Sequence, residues 1–483
     1  MWLQDKPREA CGIAGVAGVP ESAKLVYLML YALQHRGQEG AGIVSLDQGR
    51  FVTVRDRGMV AEVFDENRLA SLAGDTAIGH VRYSTAGSSA LRNAQPLAVE
   101  YARGELALAH NGNLVNAEEI RRELEAYGSI FQTNVDTEVL IHLIARSPMK
   151  ETADAVVSSL QKIKGAYSML LMTNESVMVA RDPQGFRPLA LGRLGKGHVI
   201  ASETCAFDLV GAEYVRDVEP GELVIITSSG VESRRFASKQ DPRAFCIFEN
   251  IYFSRPDSRI FGTSCWQARQ ALGRILAEES HVEADLVVPV PDSGVCAAIG
   301  YAKASGIPFE MALIRNHYIG RTFIEPAQNI RDFGVKLKFN VVRESVRDKR
   351  IVVIDDSLVR GTTSRKIVKM LRQAGAKEVH MRISSPPVTH PCFYGMDFPT
   401  RQELIASSHT LEEIATYLRV DSVAYLSIEG MLRAMPDETQ RFCRACFTGQ
   451  YPVEFQQRAF ISAKDVCGKQ VERTRAGADT LRD

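Results

Sequence analysis

The stretch RIVVIDDSLVRGTTSRKIVKMLRQAG (350–375) decides the architecture of half of this chain. Four apolar residues, 351–354, have the length and composition of a buried strand. Asp355 and Asp356 emerge at its end, and a loop of Ser, Gly and Thr follows. RKIVKMLRQAG then has helical period and a glycine stop at 375. Backbone N–H groups and hydroxyls at a helix N-terminus cradle phosphate. Paired carboxylates suit a ribose diol or a hydrated Mg²⁺. A Walker loop would need Gly-x4-Gly-Lys-Ser/Thr, which is not the spacing here. The plain alternative is a strand whose end acids are merely solvated.

The same grammar extends outward. ADLVVPVPDSG (284–294) is a second buried strand running into a loop, and KEVHMRISSPP (377–387) a third. Strand, loop and helix in this order predict a parallel α/β domain, where ligands bind beyond the carboxyl ends of strands. Upstream the pattern differs. Short segments such as CGIAGVAGV, FVTVRD, AIGHVRYST, LALAHNGNL and ELVIITSS, with Gly, Asn and Asp between them, predict antiparallel sheets. Helical spacing interrupts at 21–36, 134–146 and 152–164, giving a layered α+β domain. The polar SRRFASKQDPR (233–243) marks the boundary. The expected division is 11–240 and 241–455, with a tail, 456–483, that is partly helical or disordered.

Length supports two domains, since 483 residues exceed one ordinary core. Lysines plus arginines number 58, as do aspartates plus glutamates, so bulk charge attracts neither nucleic acid nor membrane. No apolar run reaches the roughly 18 residues of a membrane span. MWLQDKPREA lacks the apolar core of a secretory signal, so a cytoplasmic location is expected. Nine cysteines are too few for a disulfide scaffold and read as catalytic, metal-binding or buried.

Cys11 opens an apolar, Gly-punctuated strand. Taken alone, it reads as a buried thiol. If residues 1–10 are cleaved off, its α-amine, with an ordinary pKa of about 8, becomes available as a base. The surrounding pieces favour that chemistry. QHRGQEGAGI (34–43) is a Gly-rich turn after a helix. Arg82, in GHVRYSTAG (79–87), is available to pair a carboxylate. HNGNLVN (110–116) places an Asn–Gly turn at a strand end, and Asn111 with the Gly112 N–H makes an oxyanion hole. TNVDTEVL (133–140) puts Asp136 in the first turn of a helix, suited to an ammonium group or to a plain helix cap. His35 and His80 read as structural. A zwitterionic amide substrate needs one cation, one anion and one amide-cleaving centre, and these residues supply all three.

These motifs closely resemble the class II, or N-terminal-nucleophile, glutamine amidotransferase domain over about 11–235. The resemblance implies an αββα sandwich with Cys11 as nucleophile and its freed amine as base. It also implies that Arg82 and Asp136 hold glutamine, and that Asn111 and Gly112 form the oxyanion hole. RIVVIDDSLVRGTTS resembles the type I phosphoribosyltransferase signature. This implies that Asp355 and Asp356 meet the ribose hydroxyls and Mg²⁺ of phosphoribosyl pyrophosphate. Ser357, Arg360, Gly361, Thr362, Thr363 and Ser364 would hold the 5′-phosphate. VPVPDSGV (288–295) matches the pyrophosphate loop, with Asp292 and Ser293 nearest the metal. NHYIGRTFIEPAQNIRDFGVKLK (316–338) fits a closing loop with Arg321 and Lys336 facing pyrophosphate. Together the chain resembles glutamine phosphoribosylpyrophosphate amidotransferases over about 11–455. That implies the first committed step of purine synthesis, a homotetramer and inhibition by purine nucleotides.

Cys443 and Cys446 form C-x2-C, and Cys246 and Cys392 stand apart in sequence. From residues alone, zinc, an iron–sulfur cluster and buried thiols stay open. One subgroup of the family carries a 4Fe–4S cluster together with a cleaved propeptide. The resemblance implies that residues 1–10 are the propeptide and these four cysteines the ligands. Two other functions compete with this reading. Other class II amidotransferases would lack RIVVIDDSLVRGTTS, and a non-catalytic phosphoribosyl pyrophosphate sensor would be expected to carry a damaged Cys11 or Asp–Asp pair.

Overall fold

Strands buried on both faces explain the N-terminal half. In the computed structural model, which describes residues 11–83, 90–238, 241–316, 338–398, 400–435 and 442–454, two antiparallel sheets stack face to face. One has seven strands in the order Glu213–Asp217, Ala190–Leu194, Gly197–Ala201, Gly12–Ala17, Thr76–Arg82, Gly40–Asp47 and Arg50–Arg57. The other has six, in the order Gly230–Arg235, Glu222–Thr227, Ser176–Arg181, Gly165–Met172, Gly104–Leu114 and Leu97–Tyr101. Successive side chains point to opposite faces. Ile13, Val44 and Ile78 of the first sheet therefore meet Ala107, Ala109, Leu170 and Met172 of the second in the central core. Their neighbours Ala14, Val16, Ala77 and Val81 pack outward against the Ser22–Ala32 helix. Leu106, Leu108 and Tyr167 pack against the helices Ala117–Ala126, Glu138–Ala145 and Thr152–Leu160. The result is the four-layered sandwich.

The C-terminal half is a parallel sheet of Leu286–Pro289, Arg350–Asp355, Glu378–Ile383 and Ser422–Tyr425, in that spatial order. Val287, Val352 and Ile354 face a core shared with the Cys265–Glu279 and Val295–Ser305 helices. Ile351, Val353 and Leu286 face the opposite core, with Ile367, Val368 and Leu371 of the Thr362–Gln373 helix. Gly375, at φ +100°, ends that helix as expected. Among the described residues, no helix is long and apolar enough to cross a membrane.

Two local expectations are corrected. Asn111–Gly112 is not a turn: it lies inside the Gly104–Leu114 strand, opposite Ser168 and Tyr167. Gly112 adopts φ +151°, and a Cβ there would sit 2.0 Å from the Ala166 carbonyl oxygen, so backbone approach rather than turning demands glycine. Asp136 precedes the Glu138–Ala145 helix rather than joining its first turn. Its carboxylate instead accepts the Leu114 N–H across the fold. The proposed propeptide 1–10, Arg321, Lys336 and the tail 456–483 lie outside the described residues.

Candidate active site

Cys11 sits immediately before the central Gly12–Ala17 strand and is 7% exposed. Its thiol donates to the Tyr83 carbonyl at 3.4 Å. Burial raises its pKa, and the Tyr83 contact and the Arg82 charge only partly oppose that. At neutral pH the group is therefore a thiol that needs a base. Arg82 ends the neighbouring Thr76–Arg82 strand, and its charge is felt by Cys11, Glu39 and Asp136. Gly37 of the HRG motif explains how the preceding turn fits: a Cβ there would lie 2.6 Å from the Arg82 carbonyl carbon.

Asp136 is placed by its surroundings. Its Oδ2 accepts from the Leu114 N–H at 2.8 Å, and His110 Nδ1 lies 3.7 Å from Oδ1. Burial pushes the carboxyl up, but His110 and the backbone donors of Leu114 and Thr137 outweigh it, so the group stays ionised. Arg82 and Asp136 both act electrostatically on the Cys11 thiol, so a cation and an anion lie within range of it. That arrangement suits the two ends of an α-amino acid.

Asn111 is fully buried, its Nδ2 donating to Ser202 Oγ at 3.3 Å. Ser202 Oγ also accepts from the Ile13 N–H at 3.0 Å, and the Ser202 N–H returns to the Ile13 carbonyl. Ser202 thus ties the oxyanion candidate to the strand that carries Cys11. Sequence reading missed it, because a serine in IASET carries no motif. His80 is buried, its pKa lowered to about 3 mainly by burial with help from Arg82, and its Nε2 bonds to the His110 carbonyl. It is structural, as is His35, which pairs with Glu203 at 2.7 Å.

The second constellation lies at the carboxyl ends of two adjacent parallel strands. Asp355 and Asp356 are 2% and 1% exposed, so they are not solvated strand-end acids. The Asp356 N–H donates to Asp355 Oδ1 at 3.0 Å, and Ser357 Oγ donates to Asp356 Oδ2 at 2.6 Å. The Asp292–Ser293 loop is pressed beside them. Val290 N–H donates to the Ile354 carbonyl at 2.8 Å, and a Cβ on Gly294 would lie 2.4 Å from the same oxygen. Asp292 is paired with Arg315 at 2.6 Å. Gly361 takes φ +76° at the N-cap of the Thr362–Gln373 helix, while Thr362, Thr363 and Ser364 form its first turn. Arg360 is turned aside to Glu403 at 2.8 Å, so a phosphate would have to compete for it.

The four singled-out cysteines, scattered in sequence, lie within electrostatic range of one another. Cys246 and Cys443 are opposite partners in a two-strand parallel ladder. Cys246 Sγ lies 3.5 Å from Met396 Sδ, and Cys392 Sγ accepts the Tyr394 N–H at 3.3 Å. Burial, first of all, raises the Cys446 thiol, and Cys443, Cys246 and Cys392 raise it further. All four are free of disulfides. Among the described residues, no three His, Cys, Asp or Glu side chains converge closely enough for a single metal ion. Cys205, Cys265 and Cys296 are buried packing residues.

A thiol within electrostatic range of a cation and an anion on an αββα sandwich, joined to an acid-ended phosphate loop on a parallel sheet, fits a glutamine amidotransferase fused to a phosphoribosyltransferase. Comparison with known proteins agrees. Residues 80–208 match the glutamine amidotransferase domain family, and residues 266–384 the phosphoribosyl transferase domain family. An amidophosphoribosyltransferase of Bacillus subtilis is 53% identical over 454 residues, covering 93% of this chain and 95% of that one. A chloroplastic amidophosphoribosyltransferase of Arabidopsis thaliana is 53% identical over 452 residues, 93% of this chain and 80% of its own length. The solved B. subtilis glutamine phosphoribosylpyrophosphate amidotransferase, complexed with ADP and GMP, superposes with TM-score 0.88 at 52% identity, covering 92% and 98% of the two chains. The chain belongs to the amidophosphoribosyltransferase family.

Proposed function

We propose that the two constellations divide the family's reaction between them. Glutamine and water give glutamate and ammonia at Cys11. Ammonia then attacks C1 of phosphoribosyl pyrophosphate, giving 5-phosphoribosylamine and pyrophosphate, the entry step of purine synthesis. The observation that carries this assignment is that the charges of Arg82 and Asp136 both act on the Cys11 thiol. Arg82 holds the substrate carboxylate and Asp136 its ammonium group. Cys11 Sγ attacks the side-chain amide, its proton passing to the Cys11 α-amine once residues 1–10 are removed. Asn111 Nδ2 and the Gly112 N–H receive the oxyanion. The proton returns to the departing nitrogen, and water then releases glutamate from the thioester.

At the second site, Asp355 and Asp356 hold the ribose hydroxyls, while the turn 357–364 holds the 5′-phosphate on its N–H groups and hydroxyls. Asp292, Ser293 and the acid pair would hold a Mg²⁺ ion that accompanies the pyrophosphate. A Mg²⁺ site of this kind needs few protein ligands, because phosphate oxygens and water complete it. When bound, the ion neutralises the leaving group. Arg321 and Lys336 are assigned to cover it.

Cys246, Cys392, Cys443 and Cys446 are assigned as ligands of a 4Fe–4S cluster. Their mutual influence on buried thiols supports the set. The chemistry needs no redox step, so the cluster is assigned a structural role or that of an oxygen-sensitive stability switch. Purine nucleotides are proposed as inhibitors, in line with the ADP and GMP bound to the B. subtilis protein, and the assembly as a homotetramer.

The test is Cys11→Ala. It should abolish glutamine use and leave turnover with free ammonia. Equal loss with both nitrogen donors would defeat the two-site reading.

A further inference from the structure

The two halves meet in a buried ion network that no step above employs. Arg36 ends the Gln34–Arg36 turn of the glutaminase half and is 1% exposed. Glu249 of the second half accepts from its Nη1 at 3.1 Å and its Nη2 at 2.6 Å. Nη1 also donates to Glu203. The remaining Nε donates to the carbonyl oxygen of Cys11 at 3.3 Å. The stem runs beside the nucleophile's own backbone: a Cβ on Gly12 would lie 3.3 Å from Arg36 Cβ and Cδ.

Glu249 is itself held from two further sides. Arg187 Nη1 donates to Oε1 at 2.9 Å, and Ser254 Oγ donates to Oε2 at 2.8 Å. Arg187 Nε reaches the Tyr394 carbonyl at 3.1 Å, next to the Cys392 segment. Glu203 accepts from Ser258 Oγ at 2.6 Å and the Arg255 N–H at 2.9 Å. Two arginines face the two carboxylates, and His35 also pairs with Glu203 at 2.7 Å. Such networks add little net stability over apolar packing. What they determine is direction, because a guanidinium forked onto carboxylates has its Nε–H aimed by geometry.

We propose that Glu249 is a positioning residue for glutamine cleavage. Its carboxylate aims Arg36 so that the Nε–H holds the Cys11 carbonyl and sets the orientation of the Cα that bears both thiol and amine. The inference rests on Cys11 being the nucleophile. The glutaminase centre is then complete only with the second half docked, and any motion of the Glu249–Phe253 turn passes to Cys11 through one side chain.

The experiment uses the full-length protein. Glu249→Gln keeps the shape and removes the charge, and Ser254→Ala keeps the charge and removes one of the two donors to Oε2, leaving Arg36 Nη1. Glutamine-dependent kcat and KM, ammonia-dependent turnover, and the iodoacetamide alkylation rate of Cys11 are measured for each. Misplacing a reacting group by an ångström costs up to about 10²-fold. Glu249→Gln should lower glutamine-dependent kcat by about 10- to 100-fold, with a slower alkylation rate, unchanged KM for glutamine and unchanged ammonia turnover. Ser254→Ala should fall in between, and Glu249→Asp should recover part of the loss. Unchanged kcat, or a change in KM alone, with ammonia turnover intact overturns the proposal. If Glu249→Gln loses ammonia turnover as well, Ser254→Ala decides by the same criteria. Cys11→Ala run alongside separates the two claims. If it still uses glutamine, the nucleophile assignment fails and this inference with it. If it is inactive with glutamine while Glu249→Gln is normal, this inference alone fails.

Discussion

Gly395 of the second half lies against the backbone of Gly112 in the first: a Cβ on Gly395 would sit 3.1 Å from the Gly112 Cα and carbonyl carbon. Asn113 Nδ2 donates to the Phe393 carbonyl at 2.9 Å beside it. The strand that carries Asn111 and Gly112 is thus wedged by the segment that also carries Cys392.

Gly395→Ala is the first prediction. Gly395 holds φ +98°, so alanine is strained there whatever the space. The cost should be about 1–3 kcal/mol of stability. Because the added methyl bears on Gly112, glutamine-dependent kcat should fall by up to about tenfold while ammonia turnover holds. Thermal denaturation and paired assays check this, and equal losses with both donors would show that the wedge does not act through the Gly112 strand.

The pH dependence of Cys11 alkylation is the second. Burial raises the thiol above its ordinary pKa, so below that value the neutral form dominates. Alkylation by iodoacetamide should be slow at neutral pH and accelerate as pH rises, with a midpoint above that of a free cysteine. A flat, fast profile through pH 7 would reveal a preformed thiolate and remove the need for an amine base.

Asp355→Ala combined with Asp356→Ala should abolish phosphoribosyl transfer, by about 10²-fold or more, with glutamine or with ammonia. Both carboxylates are buried beside Ser357, so single removal leaves a polar neighbour exposed to the gap. Steady-state turnover checks it, and normal rates in the double variant would sink the assignment of the phosphate turn.

Anaerobic purification followed by intact mass and iron–sulfide analysis examines the remaining assignments on one sample. A mass lacking residues 1–10, with about four iron and four sulfide per chain, is expected. Cys443→Ser should be colourless and poorly folded, since its strand partner Cys246 sits directly opposite. A brown, iron-loaded variant would mean that the ligand set is wrong.

Local chemistry was legible in the sequence. The apolar run ending in Asp355–Asp356, the Gly361 turn and the following helix are contiguous, so strand, phosphate turn and helix could be read in order. Cys11, Arg82, Asn111 and Asp136 could be picked out because each stands in a short, distinctive string. What misled was local too. An Asn–Gly pair reads as a turn, yet the neighbouring strands hold Gly112 extended, and Asp136 looks like a helix cap until Leu114 claims its carboxylate.

The amino-acid order by itself determined the two domain types and singled out Cys11 and the acid pair as candidates, because these depend on short contiguous strings or on alternation along a strand. Only the tertiary structure decided which charges meet. Arg36 and Glu249 are 213 positions apart, and Asn111 and Ser202 are 91. A lone acid in CIFENIYF carries no sign of its partner. Burying it demands a counter-charge, and folding alone selects which arginine supplies it, here the one that reaches Cys11.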